Sequence, residues 1–125
     1  MTQTIIVIDD SDTVREQLAI VLVGAGYEVI EARDGMAGAT AIRNNPTAAL
    51  AICDVNMPRL GGVDMLELLD GTSAGAMPVL MLTTEGRPDM IERARAFGAK
   101  GWMVKPFKPT MLLATVRKLV RCAGT

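Results

Sequence analysis

Strand-like and helix-like segments alternate five times along this chain, and this alternation constrains its fold more than any other sequence feature. The strand-like segments are short, and apolar residues recur with helical spacing in the stretches between them. We predict strands at 4–8, 27–32, 49–53, 79–83 and 101–104, and helices at about 12–25, 35–43, 62–70, 88–97 and 109–121. Such alternation is typical of a parallel sheet covered by helices on both faces. The sequence therefore predicts one α/β domain over residues 1–125, without an output domain.

Composition narrows the class of protein further. Half of the 125 residues are apolar, which is enough for a core without a disulfide or metal staple. The two cysteines, Cys53 and Cys122, are far apart and form no metal or disulfide pattern. No signal peptide is visible, and no apolar run approaches the roughly 20 residues that span a bilayer. We therefore expect a cytoplasmic protein that is not inserted into a membrane.

Four of the predicted strands end in polar side chains that carry chemistry. The apolar run Leu50–Cys53 stops at a single carboxylate, Asp54. Because the carboxyl ends of parallel strands meet at one sheet edge, these side chains should converge in the ligand crevice of an α/β fold. The other three groups are Asp9 and Asp10 after the first strand, Thr83 at the end of the fourth, and Lys105 after the fifth.

Three acids at one edge would repel each other unless a cation joins them. Mg²⁺ suits such a site because it prefers oxygen ligands, commonly one or two carboxylates together with a phosphate. The chain has no histidine and no cysteine cluster, so a zinc site is not expected. A nucleophilic aspartate beside Mg²⁺ suggests phosphoryl transfer, in which Lys105 and Thr83 would stabilise the phosphoryl oxygens.

These residues carry a resemblance to a known family. Asp9-Asp10, Asp54 with Met57-Pro58 and Gly62, Leu82-Thr83-Thr84 and Lys105-Pro106-Phe107 occur in the order found in receiver domains of two-component response regulators, over essentially the whole chain. The chain is most similar to stand-alone receivers of the CheY type. The resemblance implies a doubly wound, flavodoxin-like (βα)5 fold with strand order 2-1-3-4-5.

The resemblance also assigns roles to individual residues. Asp54 is expected to be the phosphoacceptor, and Lys105 and Thr83 to contact the phosphoryl group, with Thr83 as the switch hydroxyl. Asp9, Asp10, Asp54 and the Asn56 backbone carbonyl are expected to bind Mg²⁺. Asn56 and Glu85 are expected to tune the lifetime of the phosphorylated state, and the Lys105–Pro106 bond is expected to be cis. Trp102 stands where the family has its switch aromatic, although it also fits a half-buried strand aromatic without that role.

By the same resemblance, a sensor histidine kinase or a phosphotransfer protein would donate the phosphoryl group. The protein would signal by binding a target, as in chemotaxis, through the surface of helix 4, strand 5 and helix 5. It would catalyse its own phosphorylation and dephosphorylation without being a conventional enzyme, and neither nucleic acid nor membrane is expected as a partner.

Residues up to Gly86 include 12 acidic and 4 basic side chains, and residues from Arg87 onward include 2 acidic and 9 basic ones. This asymmetry suggests an acidic docking segment, although solvated helix faces would give the same pattern.

Three other interpretations are possible. Asp10-Ser11-Asp12-Thr13-Val14 fits the opening motif of haloacid-dehalogenase-type phosphohydrolases, but that chemistry needs an acidic pair after the lysine, and no acid follows Glu92. A flavodoxin-like flavin binder would need a phosphate loop after strand 1, where Asp9 and Asp10 would repel phosphate. A degenerate receiver that only docks partners would not need the complete set of site residues.

Overall fold

A computed structural model describes residues 2–84 and 86–120. The helices and strands alternate as the sequence predicts. The strands are β1 (Thr4–Ile8), β2 (Glu28–Ala32), β3 (Leu50–Asp54), β4 (Val79–Thr83) and β5 (Ala99–Val104). The helices are α1 (Asp12–Gly24), α2 (Gly35–Asn44), α3 (Gly62–Leu69), α4 (Pro88–Ala96) and α5 (Pro109–Leu119).

The five strands form one parallel sheet in the order β2-β1-β3-β4-β5. This confirms both the parallel sheet predicted from the sequence and the strand order implied by the resemblance. Side chains alternate between two cores because successive residues of a strand point to opposite faces. Ile6 and Ile8 pack on the side of α2, α3 and α4. Ile5 and Val7 pack on the side of α1 and α5.

Local sequence signals explain where the helices start. The Ser11 hydroxyl caps α1 by accepting a hydrogen bond from the Val14 amide at 3.3 Å. The Asp34 carboxylate caps α2 in the same way, accepting from the Ala37 amide at 2.8 Å. α4 and α5 instead begin with Pro88 and Pro109, whose fixed φ suits the first helical position.

Most element boundaries agree with the sequence predictions to within one residue, and the larger differences lie in the second half of the chain. β5 begins at Ala99, two residues earlier than predicted, beside a register irregularity between Val79 and Leu80 of β4. Between α3 and β4, where the sequence predicts neither a helix nor a strand, residues Ser73–Ala76 form a 3₁₀ turn. α5 ends at Leu119, whereas the helix predicted there extends to residue 121, outside the described residues. In the described ranges no helix combines the length and apolar character needed to cross a membrane.

Candidate functional site

The carboxyl ends of four strands bring the predicted site residues together. Asp9 follows β1, Asp54 and Thr83 are the last residues of β3 and β4, and Lys105 follows β5. The Lys105 ammonium lies 2.7 Å from a carboxylate oxygen of Asp9 and 3.3 Å from one of Asp54. Asp9, Asp54 and Thr83 are all buried, with exposed fractions of 1%, 7% and 0%. The sheet edge therefore holds two buried acids with a lysine between them, and Thr83 at the neighbouring strand end.

Asp10 completes a cluster of three acids. One carboxylate oxygen from each of Asp9, Asp10 and Asp54 lies within 4.8 Å of the other two. Asp10 is exposed, whereas the other two are buried, so the cluster is open to solvent on the Asp10 side. This arrangement of hard oxygen donors is compatible with a small divalent cation.

Burial and the charges of neighbouring residues shift the pKa values of Asp54 and Lys105. Burial raises the pKa of Asp54, and repulsion from Asp9 raises it further, so these effects outweigh the attraction of Lys105. Burial alone would lower the pKa of Lys105, but its hydrogen bond to Asp9 and its attraction to Asp54 raise it overall. The lysine therefore stays cationic at neutral pH, and the ionised form of Asp54 is under electrostatic strain. Burial also raises the pKa of the neighbouring Cys53 thiol far above its ordinary value, which leaves that group inert.

Asp9 is held at four points, which sequence reasoning did not foresee. Its amide donates to the Ala32 carbonyl at 3.0 Å, and its carboxylate accepts from the Ser11 amide at 2.9 Å in addition to Lys105. Its carbonyl oxygen accepts from Arg15 at 2.5 Å. The sequence signal for Arg15 was an arginine three residues after Asp12 on one helix face, a spacing that usually indicates only a surface ion pair.

The loops after β3 and β5 shape the other side of the site. The Asn56 amide lies 3.4 Å from a carboxylate oxygen of Asp54, and the Asn56 side chain is exposed. The Lys105 amide donates to the Thr83 carbonyl at 2.7 Å, which ties the end of β5 to that of β4. The Lys105–Pro106 peptide bond is cis.

One predicted residue lies away from the acidic cluster, and another cannot be placed. Trp102 is in β5, paired with Met81, and packs on the core shared with α4. Its indole N–H is buried and has no hydrogen-bond partner within the described part of the chain. Glu85, expected to tune the phosphorylated lifetime, lies outside the described residues.

The phosphohydrolase motif is not assembled in the way that chemistry requires. Asp12, its second acid, has a side chain that is 92% exposed and is paired with Arg15. Ser11 is occupied as the cap of α1. Among the described residues, Asp10 is grouped with Asp9 and Asp54 and not with Asp12.

Comparison with known proteins identifies the family of this chain. The family model of the response regulator receiver domain matches residues 5–117. The DNA-binding response regulator MtrA of Mycolicibacterium smegmatis is 34% identical over 122 residues, which are 97% of this chain but 52% of MtrA. The chain thus spans about half the length of that relative. Chemotaxis protein CheY1 of Helicobacter pylori is 34% identical over 110 residues, which are 86% of this chain and 89% of CheY1.

Solved structures agree with these relatives. The structure of Vibrio cholerae chemotaxis protein CheY4 has a TM-score of 0.88 and 34% identity, and the match covers 95% of this chain and 99% of CheY4. Receiver domains are signalling modules of two-component systems and not enzymes in the ordinary sense. The chain belongs to the family of response regulator receiver domains and is of the CheY-like kind.

Proposed function

We propose that Asp54 accepts a phosphoryl group from a phosphohistidine on a sensor kinase or phosphotransfer protein, and that the phosphorylated domain then binds a target protein. One observation carries this proposal. The Asp54 carboxylate is buried at the end of β3, within 4.8 Å of carboxylate oxygens of Asp9 and Asp10 and 3.3 Å from the Lys105 ammonium. A buried acid beside both a potential metal site and a cation is suited to phosphoryl transfer.

The transfer itself needs little chemistry from the protein beyond positioning. An Asp54 carboxylate oxygen attacks phosphorus, the new O–P bond forms as the N–P bond of the donor breaks, and the imidazole leaves with the electron pair. Lys105 is cationic at neutral pH and would stabilise the negative oxygens of the transferred group. The Thr83 hydroxyl would donate to one of these oxygens after a shift of the loop that follows β4.

The three acids fit a magnesium ion. Asp9, Asp10 and Asp54 would hold it, with the Asn56 backbone carbonyl as a further ligand, directly or through water. When bound, the ion would neutralise the clustered carboxylates and withdraw electron density from the phosphoryl oxygens. The exposed side chain of Asn56, and Glu85 by resemblance, would tune access of water to the phosphorylated state.

The signal would leave through the surface formed by α4, β5 and α5. This output surface exposes two apolar side chains, Val104 at 50% and Met111 at 58%. The same part of the chain carries five exposed basic residues: Arg95, Lys100, Lys108, Arg117 and Lys118. Such a surface suits a partner segment with apolar anchors and acidic flanks. Phosphorylation would bias this surface between two states, and a change from 1:99 to 99:1 requires about 5.5 kcal/mol of differential stabilisation.

Chemotaxis signalling in the cytoplasm is the setting that the CheY relatives support. DNA binding, which is part of the printed description of MtrA, is not carried over, because this chain spans about half of that protein. We propose that the phosphorylated receiver signals by binding another protein. Trp102 would report or assist the switch by repacking beside α4.

Phosphorylation by a small donor tests the proposal directly. Incubation with acetyl phosphate and Mg²⁺ should add the mass of one phosphoryl group, detectable by intact-protein mass spectrometry, and the adduct should be lost on standing. Asp54→Asn should give no adduct, and chelation of Mg²⁺ should suppress it in the wild type. A wild-type protein without an adduct, or an equal yield from Asp54→Asn, would contradict the proposed function.

A further inference from the structure

The side chain of Arg15 joins three segments at the acidic end of the sheet. One terminal nitrogen donates to the Asp9 backbone carbonyl at 2.5 Å, and the other donates to the Asp12 carboxylate. The Nε group donates to the Glu31 carboxylate on β2 at 3.2 Å. Although it carries a charge, the Arg15 side chain is only 12% exposed. A guanidinium in this position is a fixed part of the structure and not a solvated surface charge.

We propose that Arg15 is a positioning residue that orients the acidic pair of Asp9 and Asp10 for a divalent cation. This inference rests on the proposed function of the three acids as a magnesium site. Arg15 itself would touch neither the ion nor the phosphoryl group. It acts through the carbonyl of Asp9.

The geometry of the peptide bond explains how one hydrogen bond can position two acids. The Asp9 carbonyl and the Asp10 amide belong to the same rigid peptide plane. A bond from Arg15 to that carbonyl therefore fixes the plane from which Asp10 projects, while the Asp9 carboxylate is held separately by the Ser11 amide and Lys105. Asp10 is exposed, so in the described residues the main chain is its principal constraint.

Only an arginine can make all three contacts at once. Its planar group presents five N–H donors in fixed directions, whereas a lysine has a single ammonium on a flexible stem. Glu31 and Asp12 are 48% and 92% exposed, so water can replace Arg15 at both of them. Loss of Arg15 should therefore act mainly at the Asp9 carbonyl and leave the remainder of the fold intact.

Charge and positioning predict opposite effects on cation affinity. Arg15 is a cation beside an acidic cluster, so its electrostatic field alone weakens binding of Mg²⁺. Removal of the charge should then strengthen binding if Arg15 had no positioning role. If Arg15 orients the ligands, removal should weaken binding, because groups that orient metal ligands typically contribute 10-fold to 100-fold in affinity, as a rough range.

The experiment is calorimetric titration of the full chain with Mg²⁺ for the wild type, Arg15→Met and Arg33→Met. Arg33 is the matched control, because it lines the same surface pocket as Arg15, is exposed, and has no side-chain hydrogen bond or ion pair within residues 2–84 and 86–120. We expect about 10-fold weaker binding for Arg15→Met, and unchanged or tighter binding for Arg33→Met. Affinity of Arg15→Met equal to or above that of Arg33→Met overturns the inference.

A rate measurement separates positioning from a direct role in the transfer. With acetyl phosphate as donor, the Mg²⁺ concentration for half-maximal phosphorylation of Arg15→Met should rise about 10-fold. The rate at saturating Mg²⁺ should stay within about twofold of the wild type, because Arg15 does not touch the reacting atoms. A lower saturating rate with unchanged half-saturation overturns the positioning role.

Arg15→Lys provides a test if Arg15→Met does not fold. It keeps the charge but cannot serve three acceptors, so we expect its Mg²⁺ affinity to lie between those of the wild type and Arg15→Met, about 3-fold below the wild type. Full wild-type affinity in Arg15→Lys overturns the inference.

A wild-type protein that binds Mg²⁺ and is phosphorylated, while Arg15→Met matches Arg33→Met, defeats this inference alone. A wild type that does neither defeats the proposed function as well.

Discussion

The Lys105 ammonium donates a hydrogen bond to the Asp9 carboxylate at 2.7 Å, although the two residues are 96 positions apart in the chain. The same ammonium lies 3.3 Å from Asp54. Among the described residues, Lys105 is therefore the side chain that forms ion pairs with both buried acids. The lysine that would stabilise a transferred phosphoryl group also balances the negative charge of Asp9 and Asp54 in the folded protein.

Replacement of Lys105 by methionine should destabilise the metal-free protein. Removal of one partner from a buried ion pair leaves uncompensated charge and typically costs about 3–5 kcal/mol. Because Lys105 retains 13% exposure, we expect a loss of about 3 kcal/mol in the free energy of unfolding, measured by urea denaturation in a chelator. Lys108→Met, at an exposed position three residues later, is the control and should change stability by less than about 0.5 kcal/mol. Equal effects of the two substitutions would refute the role of Lys105 as counter-charge.

Asp54→Asn should stabilise the metal-free protein. Burial and repulsion from Asp9 raise the pKa of Asp54 in the folded state, so its ionised form is less stable there than in the unfolded chain. Near pH 7 we expect the substitution to raise the free energy of unfolding by about 1 kcal/mol, as is usual when a functional group under strain is removed.

The pH dependence of this stabilisation has a defined sign. As pH falls through the raised pKa of folded Asp54, the folded wild type takes up a proton before the unfolded chain does, so the wild type gains stability relative to the variant. The difference between the two proteins should shrink in this window and vanish below 3.8, the ordinary pKa of an aspartate, where both states are protonated. Denaturation in a chelator at several pH values measures it. A difference that grows as pH falls would contradict the raised pKa.

Trp102→Phe should cost little stability. The substitution removes some packing area. It also removes a buried N–H that has no partner among residues 2–84 and 86–120, and an unsatisfied group of this kind costs roughly 1–3 kcal/mol. We expect a net change within about 1 kcal/mol, whereas Trp102→Ala should lose roughly 2 kcal/mol or more by thermal denaturation. If Trp102→Phe loses as much stability as Trp102→Ala, the indole N–H has a hydrogen-bond partner in solution. Since Trp102 is the sole tryptophan, its fluorescence also reports any repacking on phosphorylation.

The basic output surface predicts salt-sensitive target binding. For a target captured by the beryllofluoride-activated protein, affinity should fall as salt rises from about 0.05 M to 0.5 M, because exposed charges are screened over shorter distances. Lys100→Glu should weaken binding further, and Arg43→Glu, on α2 outside the output surface, should not. An affinity that is flat with salt would remove electrostatic docking from the proposal.

The sequence could predict the assembly of this site because the fold itself does most of the positioning. Asp9, Asp54 and Thr83 each end or follow an apolar strand, and parallel strands end at the same edge, so no side-chain detail was needed to group them. The order of the strands in the sheet could not be predicted in this way. Local patterns do not encode which strands are neighbours, and that order came from the resemblance.

The details that were missed depend on contacts between distant segments. Arg15 donates to the backbone carbonyl of Asp9, just after β1, and to a carboxylate on β2, and neither acceptor is marked in the local sequence. β5 begins at Ala99 because the register irregularity in its pairing with β4 extends the ladder past Gly101, a residue that weakens the local strand pattern. Both features arise from tertiary packing and not from residue propensity.

Gly62→Ala should displace the backbone of Asp54, because the added Cβ would overlap its carbonyl oxygen. A Cβ at this position would overlap the Asp54 carbonyl oxygen and lie 2.8 Å from the terminal methyl of Met81, so the loop between β3 and α3 must shift. Overpacking of this kind costs roughly 1–3 kcal/mol, and we expect a loss of about 2 kcal/mol together with slower phosphorylation by acetyl phosphate. Gly24→Ala is the matched control, because a Cβ on this last residue of α1 would meet nothing within 4 Å. It should leave phosphorylation unchanged and stabilise the protein by up to about 1 kcal/mol. If both alanine variants unfold at the same urea concentration and are phosphorylated at the same rate, the close approach of Gly62 to Asp54 does not constrain the site.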